Sequence, residues 1–145
     1  SAYFDLGNAR IMQGELALAL KSLGKATTLK PKFWEALNNQ ALVLFEMKRR
    51  DEAIRRWRRV LTLENNAEPM LALAAALHQQ GKEEEALSLA RSALAKNPNY
   101  VLPLHQEEQL WGKQIRQATA ELLSINELAS SVERAQANAT WKKRQ

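Results

Sequence analysis

Gly7 to Ala26, Ala41 to Val60 and Ala74 to Ala93 repeat one set of residue classes, with successive shifts of 34 and 33 residues. A unit of that length is a short supersecondary element that cannot bury its own apolar face, so copies must stack and share a continuous core. The expected fold is an all-α solenoid, and the extended surface of such an array points to binding.

The first copy reads Tyr3, Leu6, Gly7, Arg10, Gly14, Ala19, Leu23, Ala26 and Pro31. The second reads Leu37, Gln40, Ala41, Leu44, Lys48, Ala53, Trp57 and Val60, with Asn65 in the place of the proline. Met70, Leu73, Ala74, Leu77, Gly81, Ala86, Ala90, Ala93 and Pro98 hold the same places in the third. Large apolar residues and small ones recur at helical spacing, which predicts two amphipathic helices per copy that approach closely where the side chains are small. Gly14 and Gly81 stand between the helices, where a turn is required; Lys48 stands there in the second copy and is a poorer turn former. Pro31 and Pro98 end their pairs, because proline cannot continue a helix and forces an extended residue before it.

These residues resemble the tetratricopeptide repeat family, whose signature is a large residue, Leu-Gly, a further large residue, then Ala, an aromatic or Leu, Ala and Pro. The resemblance covers residues 1–100 as three repeats, 1–33, 34–66 and 67–100, and implies a right-handed α-solenoid of three helix-turn-helix units followed by C-terminal capping helices over 101–138. Departures are local: Arg10 replaces a large residue, Gln40 and Ala41 replace Leu-Gly, and Ala90 replaces an aromatic.

At 145 residues the chain can bury a core, and its apolar content is mostly Leu and Ala, as helices prefer. No apolar run approaches the roughly 18–20 residues that span a bilayer. The absence of cysteine excludes disulfides, thiol catalysis and Cys-based zinc sites and fits a reducing compartment, cytoplasmic or organellar. The chain opens with Ser1 inside the first repeat and without an initiator Met, which leaves open a targeting or anchoring segment ahead of it.

Val101 to Leu123 reads as one long helix, with Pro103 in its first turn and Leu104, Trp111, Ile115, Ala118 and Leu122 as its apolar stripe. Ser124-Ile125-Asn126-Glu127 has the form of a capping box and predicts another helix through Ala137, with Leu128 and Val132 inward. Residues 139–145 form a basic tail expected to be disordered, in which Trp141 among Lys142, Lys143 and Arg144 suits an anionic surface anchor or an idle terminus.

In tetratricopeptide arrays the first helix of each pair lines the concave face, so its residues outside the packing signature become groove candidates. These are Phe4, Asn8, Ile11 and Met12; Glu35, Asn38, Asn39, Leu42, Phe45 and Glu46; and Leu71, Ala72, Ala75, His78 and Gln79, with His105 and Gln109 continuing onto the cap. Amides beside apolar side chains suit a peptide held by hydrogen bonds to its backbone while one or two apolar residues are buried. Apolar residues at helical spacing equally suit core packing, and the residues leave both readings open. Family members that grip the acidic C-terminus of heat-shock chaperones use two Asn and three basic side chains. Asn8 and Asn39 match the two amides, but Phe4, Glu68 and Ala72 stand at the basic places, so the resemblance argues against such a tail and for a neutral or apolar segment.

The net charge is +5, and the second copy gathers Lys48, Arg49, Arg50, Arg55, Arg56, Arg58 and Arg59 around Trp57, itself at a packing place. A convex stripe of this kind fits nucleic acid or an anionic membrane through salt-sensitive attraction. It equally fits a solvated helix face balanced by Glu46, Asp51, Glu52 and Glu64. Glu83, Glu84 and Glu85 suit the start of a helix. His78 and His105 form no metal-binding pair, His105 with Glu108 suggests a surface hydrogen bond, and no phosphate loop or nucleophile triad stands out, so no catalytic residue, metal or cofactor is expected. The sequence therefore reads as a non-enzymatic adaptor or complex-assembly factor that holds a partner polypeptide in its groove, with a basic convex face for nucleic acid or membrane as the alternative. It leaves the partner and the oligomeric state open.

Overall fold

Three helical hairpins are closed by one turn geometry. The computed structural model describes residues 1–140, and within them α1 (Ala2–Met12) pairs with α2 (Leu16–Leu29), α3 (Trp34–Glu46) with α4 (Arg50–Leu63), and α5 (Ala67–Gln79) with α6 (Glu83–Lys96). Gly14, Lys48 and Gly81 sit between the helices at φ of 78°, 64° and 78°. In each hairpin the next amide bonds back across the helix end: Glu15 N to Arg10 O at 2.9 Å, Arg49 N to Leu44 O at 2.9 Å, Lys82 N to Leu77 O at 3.0 Å. This is the Schellman closure, which satisfies the last carbonyls of a helix and needs a left-handed residue. Lys48 adopts the geometry of the glycines despite its side chain.

The chain divides into two compact units, Ser1–Glu64 and a second beginning at Asn65. In the first unit, α2 packs on both α1 and α3, and α3 on α4. Ala19, Leu23, Ala26, Ala36 and Val43 form a core cluster flanked by Phe4, Ile11, Leu16, Leu20, Phe33 and Met47. Gly7 lets α1 reach α2, since a Cβ there would stand 2.7 Å from Leu23 Cγ. Arg10, at the place of a large signature residue, instead ties the two helices by donating to Ser22 Oγ at 3.1 Å and to Leu18 O at 3.4 Å.

In the second unit, α5 packs against α6 and against a helix from beyond the third repeat. The long helix expected over Val101–Leu123 does not form. A 3₁₀ turn (Pro98–Val101) leads to α7 (Pro103–Glu108), a turn, and α8 (Lys113–Leu123). Leu110 causes the break: at φ 70° it repeats the left-handed closure, with Leu110 N bonding Glu107 O and Trp111 N bonding Gln106 O, both at 3.0 Å. Gly14, Lys48, Gly81 and Leu110 are spaced 34, 33 and 29 residues apart, so α7 and α8 form a fourth, abbreviated helix pair. Ile115, Thr119 and Leu122, all buried, stand at the distances from Leu110 that Ala86, Ala90 and Ala93 keep from Gly81. Leu104, expected on the inward stripe, is 62% exposed because the turn breaks the register between the two helices.

Ser124 caps the wrong end for a capping box. It closes α8, donating from Oγ to Glu121 O at 2.7 Å, and a 3₁₀ turn (Asn126–Leu128) precedes α9 (Ala129–Asn138). Leu128 is buried as expected, and Val132 is half-buried. The tail assigned to disorder begins too early at residue 139: Ala139 is buried, and Thr140 N donates to Asn99 Oδ1 at 2.8 Å. Trp141 to Gln145, including the basic segment read as an anchor, lie outside the described residues. Among the described residues no helix is long and apolar enough to cross a membrane.

Candidate functional site

A chain of amides runs through the first unit. Trp57 Nε1 donates to Asn38 Oδ1 at 3.1 Å, Asn38 Nδ2 to Asn39 Oδ1 at 3.5 Å, and Asn39 Nδ2 to Asn8 Oδ1 at 2.8 Å. An indole N–H can only donate, so its bond dictates the orientation of each amide that follows. The direction propagates to half-buried Asn8, whose Oδ1 is taken up and whose Nδ2 is left as the outward donor. Asn38 is 1% exposed and serves inside this chain, which corrects its assignment to the groove surface.

Around Asn8 the accessible groove candidates are those of α1. Phe4 and Ile11 are half-buried, and Met12 is 76% exposed. Phe4 meets Phe33 with ring centroids 4.8 Å apart, and Phe33 helps line a largely apolar recess of about 570 Å³ with Lys30, Pro31, Lys32 and Glu35. Phe33 escaped the sequence reading because it precedes α3 and belongs to no signature place.

Leu42, Phe45, Leu71 and Ala75, expected on the groove, belong to the core. Phe45 packs on Trp57 with centroids 5.9 Å apart, beneath the Arg50 guanidinium at 5.4 Å. Every residue of α5 from Ala67 to Leu77 is buried. Within its unit α8 packs on α5, and Glu68 accepts hydrogen bonds from Trp111 Nε1 at 2.9 Å and Tyr100 Oη at 3.3 Å. Burial and the neighbouring Glu68 carboxylate push the Tyr100 phenol well above its ordinary range. His105, read as a surface residue, is buried against the Tyr100 ring at 4.7 Å. Nothing in the local sequence tied Glu68 to Trp111. His78 Nδ1 pairs with Glu83 Oε1 at 2.6 Å, and Gln79 is exposed.

The basic residues of α4 do not act as one stripe. Arg49 pairs with Glu52 at 2.7 Å and 2.8 Å, a bidentate contact that holds the Glu52 carboxyl below its usual range. Arg56 Nε donates to Gln40 Oε1 at 3.0 Å, while Arg55, Arg58 and Arg59 are exposed. Among the described residues no group of three or more His, Asp or Glu side chains gathers to hold a metal.

A family model for the tetratricopeptide repeat matches residues 1–33. No curated protein matches the chain in sequence. Among solved structures, the crystal structure of MamA aligns with a TM-score of 0.60 at 16% identity, covering 96% of this chain and 97% of that one. The repeat match over residues 1–33, the three hairpins and this likeness show an all-α fold of the tetratricopeptide-repeat type. That fold is a protein-interaction scaffold and a typically non-enzymatic module.

Proposed function

We propose that the chain is an adaptor or complex-assembly factor that holds a partner polypeptide against α1 of the first unit. The observation that carries this reading is the outward Nδ2 of Asn8, whose direction the Trp57 indole fixes through two buried asparagines. A fixed donor of this kind suits a peptide carbonyl, and Met12 with the recess beside Phe33 offers apolar cover for one or two partner side chains. The third repeat contributes less, because Leu71, Ala72 and Ala75 are buried.

The test exchanges one atom. Asn8→Asp keeps an acceptor for Asn39 Nδ2 but turns the outward donor into an acceptor, and Met12→Glu charges an exposed side chain without touching the core. Affinity capture from native lysate, nuclease-treated and washed at moderate salt, should recover a partner with the native chain and lose it with the double variant, the melting temperature holding steady. A partner retained by the double variant removes α1 as the site. Recovery that depends on nuclease or salt alone moves the function to the basic residues of α4.

A further inference from the structure

Gln40 is the one signature place in the second repeat where a polar residue replaces a large apolar one, and it is 3% exposed. A buried amide must be satisfied, and both ends of this one are: Nε2 donates to Thr27 Oγ1 at 2.9 Å, and Oε1 accepts from Arg56 Nε at 3.0 Å. The result is a tether from α2 through α3 to α4 that holds the Arg56 guanidinium. Arg56 and Arg59, one helical turn apart on α4, line a cleft of about 510 Å³ whose walls include Gly24, Thr27, Thr28 and Gln40. Among the described residues no carboxylate lines this cleft; Glu52, whose carboxylate also interacts with Arg56 electrostatically, is held in a bidentate pair by Arg49. Both threonine hydroxyls donate to Gly24 O, at 3.1 Å and 2.9 Å, which leaves the guanidinium groups as the side-chain donors facing the space.

We infer that this cleft is a binding site for a phosphate monoester carried by a partner polypeptide, a phosphorylated serine or threonine. Two guanidinium groups match the near-dianionic charge of such a group at neutral pH, and one of them is already oriented by a buried partner. A lone phosphate would fill little of the volume, which accommodates the residue that bears it as well. A phosphodiester backbone carries one charge per phosphate and calls for a stripe of cations, whereas Arg49 is already engaged by Glu52. The inference rests on the reading of the chain as a protein-binding module and adds a second contact to it.

Gly24 supplies a test independent of charge. A Cβ there meets nothing within 4 Å and its backbone is ordinary helix, so Gly24→Met fills the cleft while favouring the helix. Gln40→Leu restores the family residue and releases Arg56. The probe is a capped phosphoserine at millimolar concentration, read by NMR at the Nε–Hε groups of Arg56 and Arg59 and at the Gly24 amide. The native chain should show saturable shifts at all three. Gly24→Met should abolish them, and Gln40→Leu should weaken binding by about tenfold, the worth of one charge-assisted contact. Absence of saturation in the native chain, or binding unchanged in Gly24→Met, overturns the proposal. So does inorganic phosphate binding as tightly as phosphoserine, which marks an adventitious ion only, or a dinucleotide doing so, which marks a nucleic-acid surface. The Asn8→Asp/Met12→Glu variant should bind phosphoserine normally, so failure at α1 and failure at this cleft are separate results.

Discussion

Lys48 occupies the left-handed turn position of Gly81, with φ of 64° against 78° and the same bond from the following amide back across the helix end. A β-carbon makes that conformation costly by roughly 1 kcal/mol, and glycine removes the cost. Lys48→Gly should therefore raise the unfolding free energy by about 0.5–1 kcal/mol in urea titration, with the denaturant slope unchanged. A loss of stability would show that the Lys48 side chain compensates through packing.

Two helical glycines should respond to alanine with opposite signs. Gly7→Ala places a methyl 2.7 Å from Leu23 Cγ, and Leu23 is fully buried and cannot swing clear, so destabilisation of about 1–3 kcal/mol is expected. Gly24→Ala meets no neighbour and should gain about 0.5–1 kcal/mol from helix propensity. Thermal melts of the pair, read against the native chain, check both signs at once.

Replacing Trp57 by Phe removes the donor that orients three asparagines and leaves Asn38 Oδ1 buried without it. The expected cost is about 1–3 kcal/mol plus a loss of volume at the contact with Phe45. The side-chain amide signals of Asn8 and Asn39 should broaden or move in NMR spectra. Their invariance would mean that the direction of the chain is set elsewhere.

The Tyr100 phenol is pushed up by burial and by Glu68, which gives alkaline stability a definite sign. Unfolded tyrosine ionises near about pH 10. A folded value above that means the contribution is intact below about pH 10 and falls as pH rises toward the folded value. Tyr100→Phe should flatten this fall, so the two proteins converge in stability between neutral and strongly alkaline pH. Parallel curves would place the phenol in contact with water.

Glu68 receives both Trp111 and Tyr100 in the second unit. Glu68→Ala strands two buried donors and should destabilise by about 2–4 kcal/mol, with Trp111 fluorescence shifting to longer wavelength. Glu68→Gln, which keeps one acceptor, should fall between.

The helix pairs were legible in the sequence because small residues at Gly7, Ala41 and Ala74 and turn residues at Gly14 and Gly81 recur with a period that local chemistry enforces. Leu110 was not legible as a turn, since leucine seldom takes positive φ and only the tertiary setting of Trp111 and α8 holds it there. The groove was read from helix position alone, which cannot separate Asn8, half-buried on α1, from Asn38, buried on α3 and consumed by Trp57. Pairings across long sequence distance decided these cases: Glu68 with Trp111, and Gln40 with both Thr27 and Arg56.

The shortened spacing before Leu110 bears on how such an array can be lengthened. A tandem duplication cut between Gly14 and Lys48, or between Lys48 and Gly81, would insert a complete hairpin with a turn at each seam. One cut between Gly81 and Leu110 would copy α7, whose six residues make fewer than two helical turns and offer no second face for a neighbour. Enlargement by copying is therefore open ahead of Gly81 and closed behind it.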